Sequence, residues 1–430
     1  MITRILRALL WLLLFVFAFI GVEYTTRGTP LSRVSAIGDH GGPPGAADSL
    51  FERTMELFTG ITLDPGNRVE VLANGDETYP RLWRDLRSAR QSITLQMYYC
   101  KPGRMADTLK AIISEQARRG VRVLFLHDAF GSQNLTDGYL DSLRAAGVKV
   151  AIFRPVHWYS LHKAQSRSHI RVVVVDGRIG YTGGFGIDDK WFGDGHSADE
   201  WRDTNVRFTG PAVAQLQATF AAGWVEATGQ LLTGDLFFPH EPPQPGAVQL
   251  AALFHSAPTI GSTPAERYLA LSIAGARKTL YITNSYFVPD DDFRNLLERA
   301  ARRGVDVRVL TAGQKTDVKV TLWAGRDRYP DLLDAGVKIY EYQPTMMHAK
   351  TLVVDGVWSS IGTMNFDNRS MVFNDESNLL VLDPDVGARM DSLFLDDLRY
   401  SKEIEAKQFE RRGVGEKIME RGATLLSRVL

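Results

Sequence analysis

The hydrophobic pattern of the chain falls into two regimes. Apolar residues run unbroken from Ala8 to Val22, with Arg4 and Arg7 ahead of them. Such a run is short for a full membrane span, but Arg7 can snorkel and let Ile5 and Leu6 extend it. It predicts a retained N-terminal anchor, or a signal-peptide core; no small-x-small cleavage site follows, since Ala18 is succeeded by Ile20 at the second position. Basic residues ahead of the run favour an N-inside orientation and a body outside the cytoplasm, a bias that Arg27 and Arg33 dilute. Residues 28–54 are rich in Gly, Pro and Ser and read as a linker.

Beyond the linker the chain alternates. "SITLQMYY" and "TLYITNSYF" are β-rich runs. "ADTLKAIISEQARRG" and "DDFRNLLERAARRG" carry apolar residues at helical spacing and end in basic residues and a glycine, as helix C-termini do. Apolar strands "VRVLFL" and "VDVRVL" follow. Four blocks, "ARQSITLQMYYC", "EQARRGVRVLFLHD", "LRAAGVKVAIFRP" and "SHIRVVVVDGRIGYTGG", recur in order as "ARKTLYITNSYFVP", "ERAARRGVDVRVLTA", "LLDAGVKIYEYQP" and "MHAKTLVVDGVWSSIGT", about 180 to 190 residues later. This is domain duplication, with strand, helix, strand, helix, strand, strand in each copy, and it predicts an α/β fold with a largely buried sheet. The organisation expected is an anchor at 1–27, a linker at 28–54, domains at 55–235 and 236–400, and a helical tail at 401–430. In that tail Ile418, Met419, Leu425, Leu426 and Val429 share one helical stripe, which suits packing on the body or docking on a bilayer.

Composition narrows the function. Fifty basic and fifty acidic residues leave no net charge, which counts against a nucleic-acid partner. The single cysteine, Cys100, excludes an intrachain disulfide and a multi-thiolate zinc site.

Candidate chemistry lies in the last block of each copy. Residues two apart on a strand share a face, about 6 to 7 Å apart. His348 and Lys350 therefore share one, as do His169 and Arg171. Each pair leads into an apolar strand and a turn at Asp355–Gly356 or Asp176–Gly177. Small residues follow in "IGTMNFD" and "TGGFGIDD", among them Gly183, Gly184, Thr363 and Asn365, which let backbone amides approach an anion. If the halves pack about a pseudo-two-fold axis, two imidazoles and two cations converge, a set suited to phosphodiester chemistry. One neutral histidine attacks phosphorus, the other protonates the leaving oxygen, and Arg171 and Lys350 neutralise the growing charge. No cofactor and no metal is called for. "PDDDF", Asp290 to Asp292, reads as a helix start whose acids complement the helix dipole. His127, His157, His162, His196, His240 and His255 have no partner at motif spacing, and "HWYS" at 157–160 reads as a packed or lipid-facing loop.

The pattern His-x-Lys-x4-Asp followed by Gly-Ser/Thr-x-Asn resembles the phospholipase D superfamily; His348, Lys350, Asp355, Gly362, Thr363 and Asn365 fit it. "PGNRVEVLANGDETYP", "YFVPDDDF", "YEYQPTMMHAKTLVVDG" and "NFDNRSMVFNDESNLLVLD" look like bacterial cardiolipin synthases in particular, over roughly residues 55 to 400. The resemblance implies two phospholipase D-type domains, each a mixed β-sheet flanked by helices, packed about a pseudo-two-fold axis with one shared site. It also implies a phosphohistidine, with His169 as nucleophile and His348 as acid and then base, and phosphatidyl transfer between phosphatidylglycerol molecules at a cell membrane. Glu376 in "NDESN" and Asp203 in "WRDTN" match the acids that orient the histidines, and Asp176 and Asp355 match residues that hold the turn. The first motif departs from the pattern, with Arg171 where lysine is usual and Gly186 where an asparagine often sits. A phospholipase D using water, a nuclease and a non-catalytic lipid-binding homologue are the alternatives, and the oligomeric state is left open.

Overall fold

A computed structural model of the chain describes residues 2–26, 31, 33–37, 42–155, 166–240, 245–258 and 263–427. The stretch 157–160, His162 and Val429 lie outside the described residues. Among those described, 15 strands form one sheet. The first half contributes β1 (Asp64–Ala73), β2 (Ser92–Met97), β3 (Arg122–Asp128), β4 (Lys149–Phe153), β5 (Arg171–Val175), β6 (Ile179–Gly183) and β7 (Thr204–Thr209). The second contributes β8 (Gln249–Ser256), β9 (Thr279–Asn284), β10 (Asp306–Ala312), β11 (Lys338–Tyr342), β12 (Lys350–Val354), β13 (Trp358–Gly362), β14 (Glu376–Leu382) and β15 (Ser401–Glu403).

The sheet order carries the duplication. Outward from the central pair, one side runs β1, β7, β6, β5, β2, β3, β4 and the other β8, β14, β13, β12, β9, β10, β11, with β15 added at the edge. The halves are thus related by a pseudo-two-fold axis between β1 and β8, which pair antiparallel at Asp64 with Ala251 and Asn67 with Gln249. Strands β2, β3 and β4 are parallel, as are β9, β10 and β11, and helices cross between them as parallel pairing requires. The runs Val172–Val175 and Leu352–Val354 are buried throughout, as strands covered on both faces must be. One apolar cluster mixes Val206, Phe208 and Val174 of the first half with Leu253, Val353 and Leu379 of the second, so the halves share a core.

Both ends of the chain differ from the expected boundaries. A helix at Ser49–Thr59, started by the Asp48 carboxylate and stopped by Gly60 at φ 79°, straddles the expected linker end at residue 54. Its spaced apolar residues Phe51 and Met55 join the second half's core, with Phe51 edge-on to Trp358 at 5.2 Å. An apolar face needs a covered surface, and the repeated blocks do not reveal which half supplies it. In the tail, Ser401–Glu403 extends the second half's sheet along β11. Helix Val414–Thr424 turns Glu420 and Ala423 inward, while Ile418, Met419, Leu425 and Leu426 face outward. At the N-terminus one helix spans Ile2–Thr26, and its side chains from Ile5 to Phe19 are predominantly apolar and exposed. Among the described residues no helix is long and apolar enough to cross a membrane.

Candidate active site

The site is assembled from matched parts, beginning with the turns. Asp176 and Asp355 hold left-handed backbone, φ 54° and 53°, which costs a non-glycine residue about 1 to 3 kcal/mol. Each carboxylate recovers this through backbone N–H donors at the start of a neighbouring strand. Asp176 accepts from Arg90, Gln91 and Ser92 at 2.8 to 3.1 Å; Asp355 accepts from Arg277, Lys278 and Thr279 at 2.7 to 3.2 Å. The aspartates thus lock the far ends of β5 and β12 to β2 and β9, which fixes where the near ends, carrying the histidines, emerge.

Those near ends cross between the halves. The His169 backbone N–H donates to Asp375 at 2.9 Å, and that of Asp375 donates back to Arg167 at 3.0 Å. The His348 N–H donates to Arg202 at 2.7 Å, and that of Arg202 to Met346 at 3.0 Å. Each histidine is therefore seated beside the other half's carboxylate. His169 Nδ1 lies 3.0 Å from both oxygens of Glu376, and His348 Nδ1 lies 2.9 Å from Asp203 Oδ2. A carboxylate at Nδ1 fixes the proton there and leaves Nε2 to react.

Both rings line one cavity of about 400 Å³ with Tyr98, Tyr99, Trp191, Trp201, Arg171 and Asn365. The cations repeat the symmetry. Arg171 Nη1 donates to the His169 carbonyl at 2.7 Å and Nε to that of Phe185 at 3.3 Å. Lys350 Nζ donates to the His348 carbonyl at 2.6 Å and to Ser285 Oγ at 2.8 Å. All four side chains are buried. Burial, with Arg171 and Lys350 close by, holds both imidazoles well below the ordinary histidine range and so favours their neutral form. Burial raises the Glu376 and Asp203 carboxyls, so each histidine–carboxyl pair titrates as a unit. Desolvation pulls the Lys350 ammonium down to about 7, partly opposed by Asp203.

The small residues divide. Asn365 lines the cavity, its Oδ1 buried and without a hydrogen-bond partner among the described residues. Thr363 lies behind it, its hydroxyl donating to Glu376 at 2.5 Å. Gly183 and Gly184 give room to side chains rather than lining the cavity: an added Cβ would meet Asn205 Oδ1 at 2.4 Å and Asp203 Oδ1 at 2.3 Å. Asp290 accepts from the backbone of Asp292 and Phe293, capping its helix as expected. The sequence pattern did not single out Tyr98, Tyr99, Trp191, Trp201, Ser285 or Lys190, because aromatic and polar residues off the motif strands have no spacing that marks them.

Comparison with known proteins accords with this geometry. The family described as "Cardiolipin synthase, PLD-like domain" matches residues 82–224 and 269–398. A cardiolipin synthase of Geobacillus kaustophilus is 38% identical over 369 residues, 85% of this chain and 72% of the relative. Cardiolipin synthase A of Pseudomonas syringae is 32% identical over 406 residues, covering 92% of this chain and 84% of the relative. The crystal structure of a phosphatidylserine synthase from Haemophilus influenzae shares the fold at 12% identity, with a TM-score of 0.70 over 88% of this chain and 99% of that one. With the family's domain matched in both halves and relatives similar over most of their length, this chain belongs to the phospholipase D-like cardiolipin synthase family.

Proposed function

We propose that the protein is a phosphatidyltransferase that makes cardiolipin from two phosphatidylglycerol molecules and releases glycerol. The observation that carries this reading is the single cavity holding two histidines, each with Nδ1 on a carboxylate and a buried cation two residues on. His169 Nε2 attacks phosphorus and forms the P–N bond as the P–O bond to glycerol breaks. His348 supplies the proton that glycerol leaves with. Arg171 and Lys350 stabilise charge on the phosphoryl oxygens. An incoming phosphate also raises the Lys350 and His348 proton affinities, so the ligand itself brings the acid into its protonated form. Neutral His348 then takes the proton of the second lipid's hydroxyl, whose oxygen displaces His169 from phosphorus.

The site belongs at a membrane. The apolar run Ala8–Val22, which snorkelling of Arg7 would extend to Ile5 and Leu6, supports an N-terminal anchor. Arg4 and Arg7 support a catalytic body, residues 55–235 and 236–400, on the extracytoplasmic face. Purified protein in phosphatidylglycerol vesicles should yield cardiolipin and free glycerol, with a chelator present throughout. Phosphatidic acid as sole product would identify a hydrolase, and cleavage of DNA but not lipid would end the reading.

A further inference from the structure

The His348 side of the cavity is built unlike the His169 side. Where the second half places Asn365, the first has Gly186, and a Cβ there would meet the Trp191 indole at 2.9 Å. The indole takes the volume of the missing amide, and its Nε1 donates to Asp203 Oδ2 at 2.9 Å. Trp191 and Trp201, 4.5 Å apart, both pack on the His348 ring, at 5.1 and 5.0 Å. Two cations lie against this aromatic wall. Lys190 Nζ stands 3.4 Å from the Trp201 ring centre and 4.5 Å from that of Tyr99, and donates to the Tyr99 hydroxyl at 3.1 Å. Lys101 Nζ stands 4.8 Å from the same Tyr99 ring. Both are separate from the cations that touch the histidine carbonyls.

The transfer reaction, on which this inference rests, needs a second charge site. The acceptor phospholipid is an anion, and its attacking hydroxyl is three carbons from its own phosphate, about 6 Å when extended. Water as acceptor brings no such charge. A cation that selects a lipid alcohol must therefore stand beside the base and away from the reacting phosphorus. Lys190 is one aromatic ring from His348. We propose that Lys190 and Lys101, braced on Tyr99 and Trp201, bind the phosphate of the acceptor phospholipid and so favour lipid alcohol over water at the phosphohistidine. The rings keep the ammoniums in place while leaving them partly dehydrated, which strengthens a contact with phosphate. Burial lowers Lys190 to about 8, with Asp188 and Asp317 holding its charge from farther off, so it is mostly cationic at neutral pH. In the step itself the acceptor oxygen forms its bond to phosphorus, the P–N bond to His169 breaks, and the proton goes to His348.

The test uses Lys190→Met and Lys101→Met, which keep the stems and remove the charges, and the double variant. Full-length protein in phosphatidylglycerol vesicles is assayed for the ratio of cardiolipin to phosphatidic acid. A nitrophenyl phosphatidyl ester reports the first step as a burst, which also verifies folding. The ratio should fall about tenfold for each lost charge-assisted contact and further in the double variant, with a raised KM for phosphatidylglycerol as acceptor. Lys190→Arg should restore most of the ratio. An unchanged ratio with the burst intact overturns the inference. Loss of the burst in both single variants also overturns it, because the lysines would then serve the donor step. No cardiolipin from the unmodified protein refutes the transfer reading instead, and this inference with it.

Discussion

The two histidine sites share a frame and differ in what fills it. Each histidine crosses to the other half for its carboxylate, each is followed by a cation that donates to its own carbonyl, and each strand ends in an aspartate-locked turn. Around Glu376 the supporting donors are the Thr363 hydroxyl and the Asn374 amide; around Asp203 they are the Trp191 indole and the Thr204 backbone. One cation is arginine, the other lysine. Duplication supplies two equivalent reactive nitrogens, and the unequal surroundings are what can make one a nucleophile and the other an acid and base.

The histidines give the hardest test of that division. With a nitrophenyl phosphatidyl ester, whose leaving group needs little protonation, His348→Ala should complete the first step and stall at the second, since no base activates the acceptor. The burst should approach one nitrophenolate per site, and peptide mapping in mild alkali should find the phosphatidyl label on His169. His169→Ala should show no burst and lose about a millionfold in turnover, the scale of removing a covalent nucleophile. A burst in His169→Ala with the label on His348 would reverse the roles. No adduct in either variant would leave the pair equivalent and the mechanism non-covalent.

Crossing of the carboxylates sharpens the comparison further. Glu376 belongs to the second half but holds the first half's histidine. Glu376→Gln should therefore impair formation of the adduct, and Asp203→Asn should impair its breakdown and leave the nitrophenolate burst. Each should cost about 10⁴-fold in overall turnover, as when an orienting carboxylate is lost and the tautomer goes wrong. The opposite allocation would show that each half works with its own acid.

Much of this is legible in the amino-acid sequence. Four repeated blocks announced the duplication, and His169, Arg171, His348 and Lys350 stood out because period-two spacing puts both members of each pair on one strand face. The resemblance to the phospholipase D superfamily marks Glu376 and Asp203 as the acids that orient the histidines. Their crossed partners became explicit only in the structure, where the contacts join residues 207 and 145 positions apart. Gly186 was visible as a departure from the motif, but not Trp191 entering the space it vacates. The same limit hid Ser285 beneath Lys350 and the docking of Phe51 on Trp358, since packing partners follow no local spacing.

Arg171 tests whether the two cations are interchangeable. Its two carbonyl contacts fix the guanidinium behind His169. Arg171→Ala should lose about 2 to 4 kcal/mol of transition-state stabilisation, the worth of one oxyanion donor, read as kcat/KM. Arg171→Lys should keep much of the activity, because the second half already works with lysine. Full activity in Arg171→Ala would remove the first half's cation from the chemistry.

The smallest expected effect separates arginine from lysine by pH. Burial lowers Arg171 from its ordinary value, yet an arginine in that range stays charged at neutral pH. Lys350 is different, because desolvation brings it to about 7. Below that value the ammonium is present; above it the free enzyme loses the charge. Since kcat/KM reports the free enzyme, the nitrophenyl ester should give, beside the titration of the two histidine–carboxyl pairs, a limb that falls by about tenfold per unit above pH 7 until Arg171 alone sustains a plateau. Bound phosphate raises the lysine again, so the same limb should appear at higher pH in kcat than in kcat/KM. Lys350→Arg should flatten the limb while retaining turnover, making the second half resemble the first. If Lys350→Arg keeps the same falling limb, the titrating group is one of the histidine–carboxyl pairs, and the choice of arginine or lysine does not set the enzyme's response to pH.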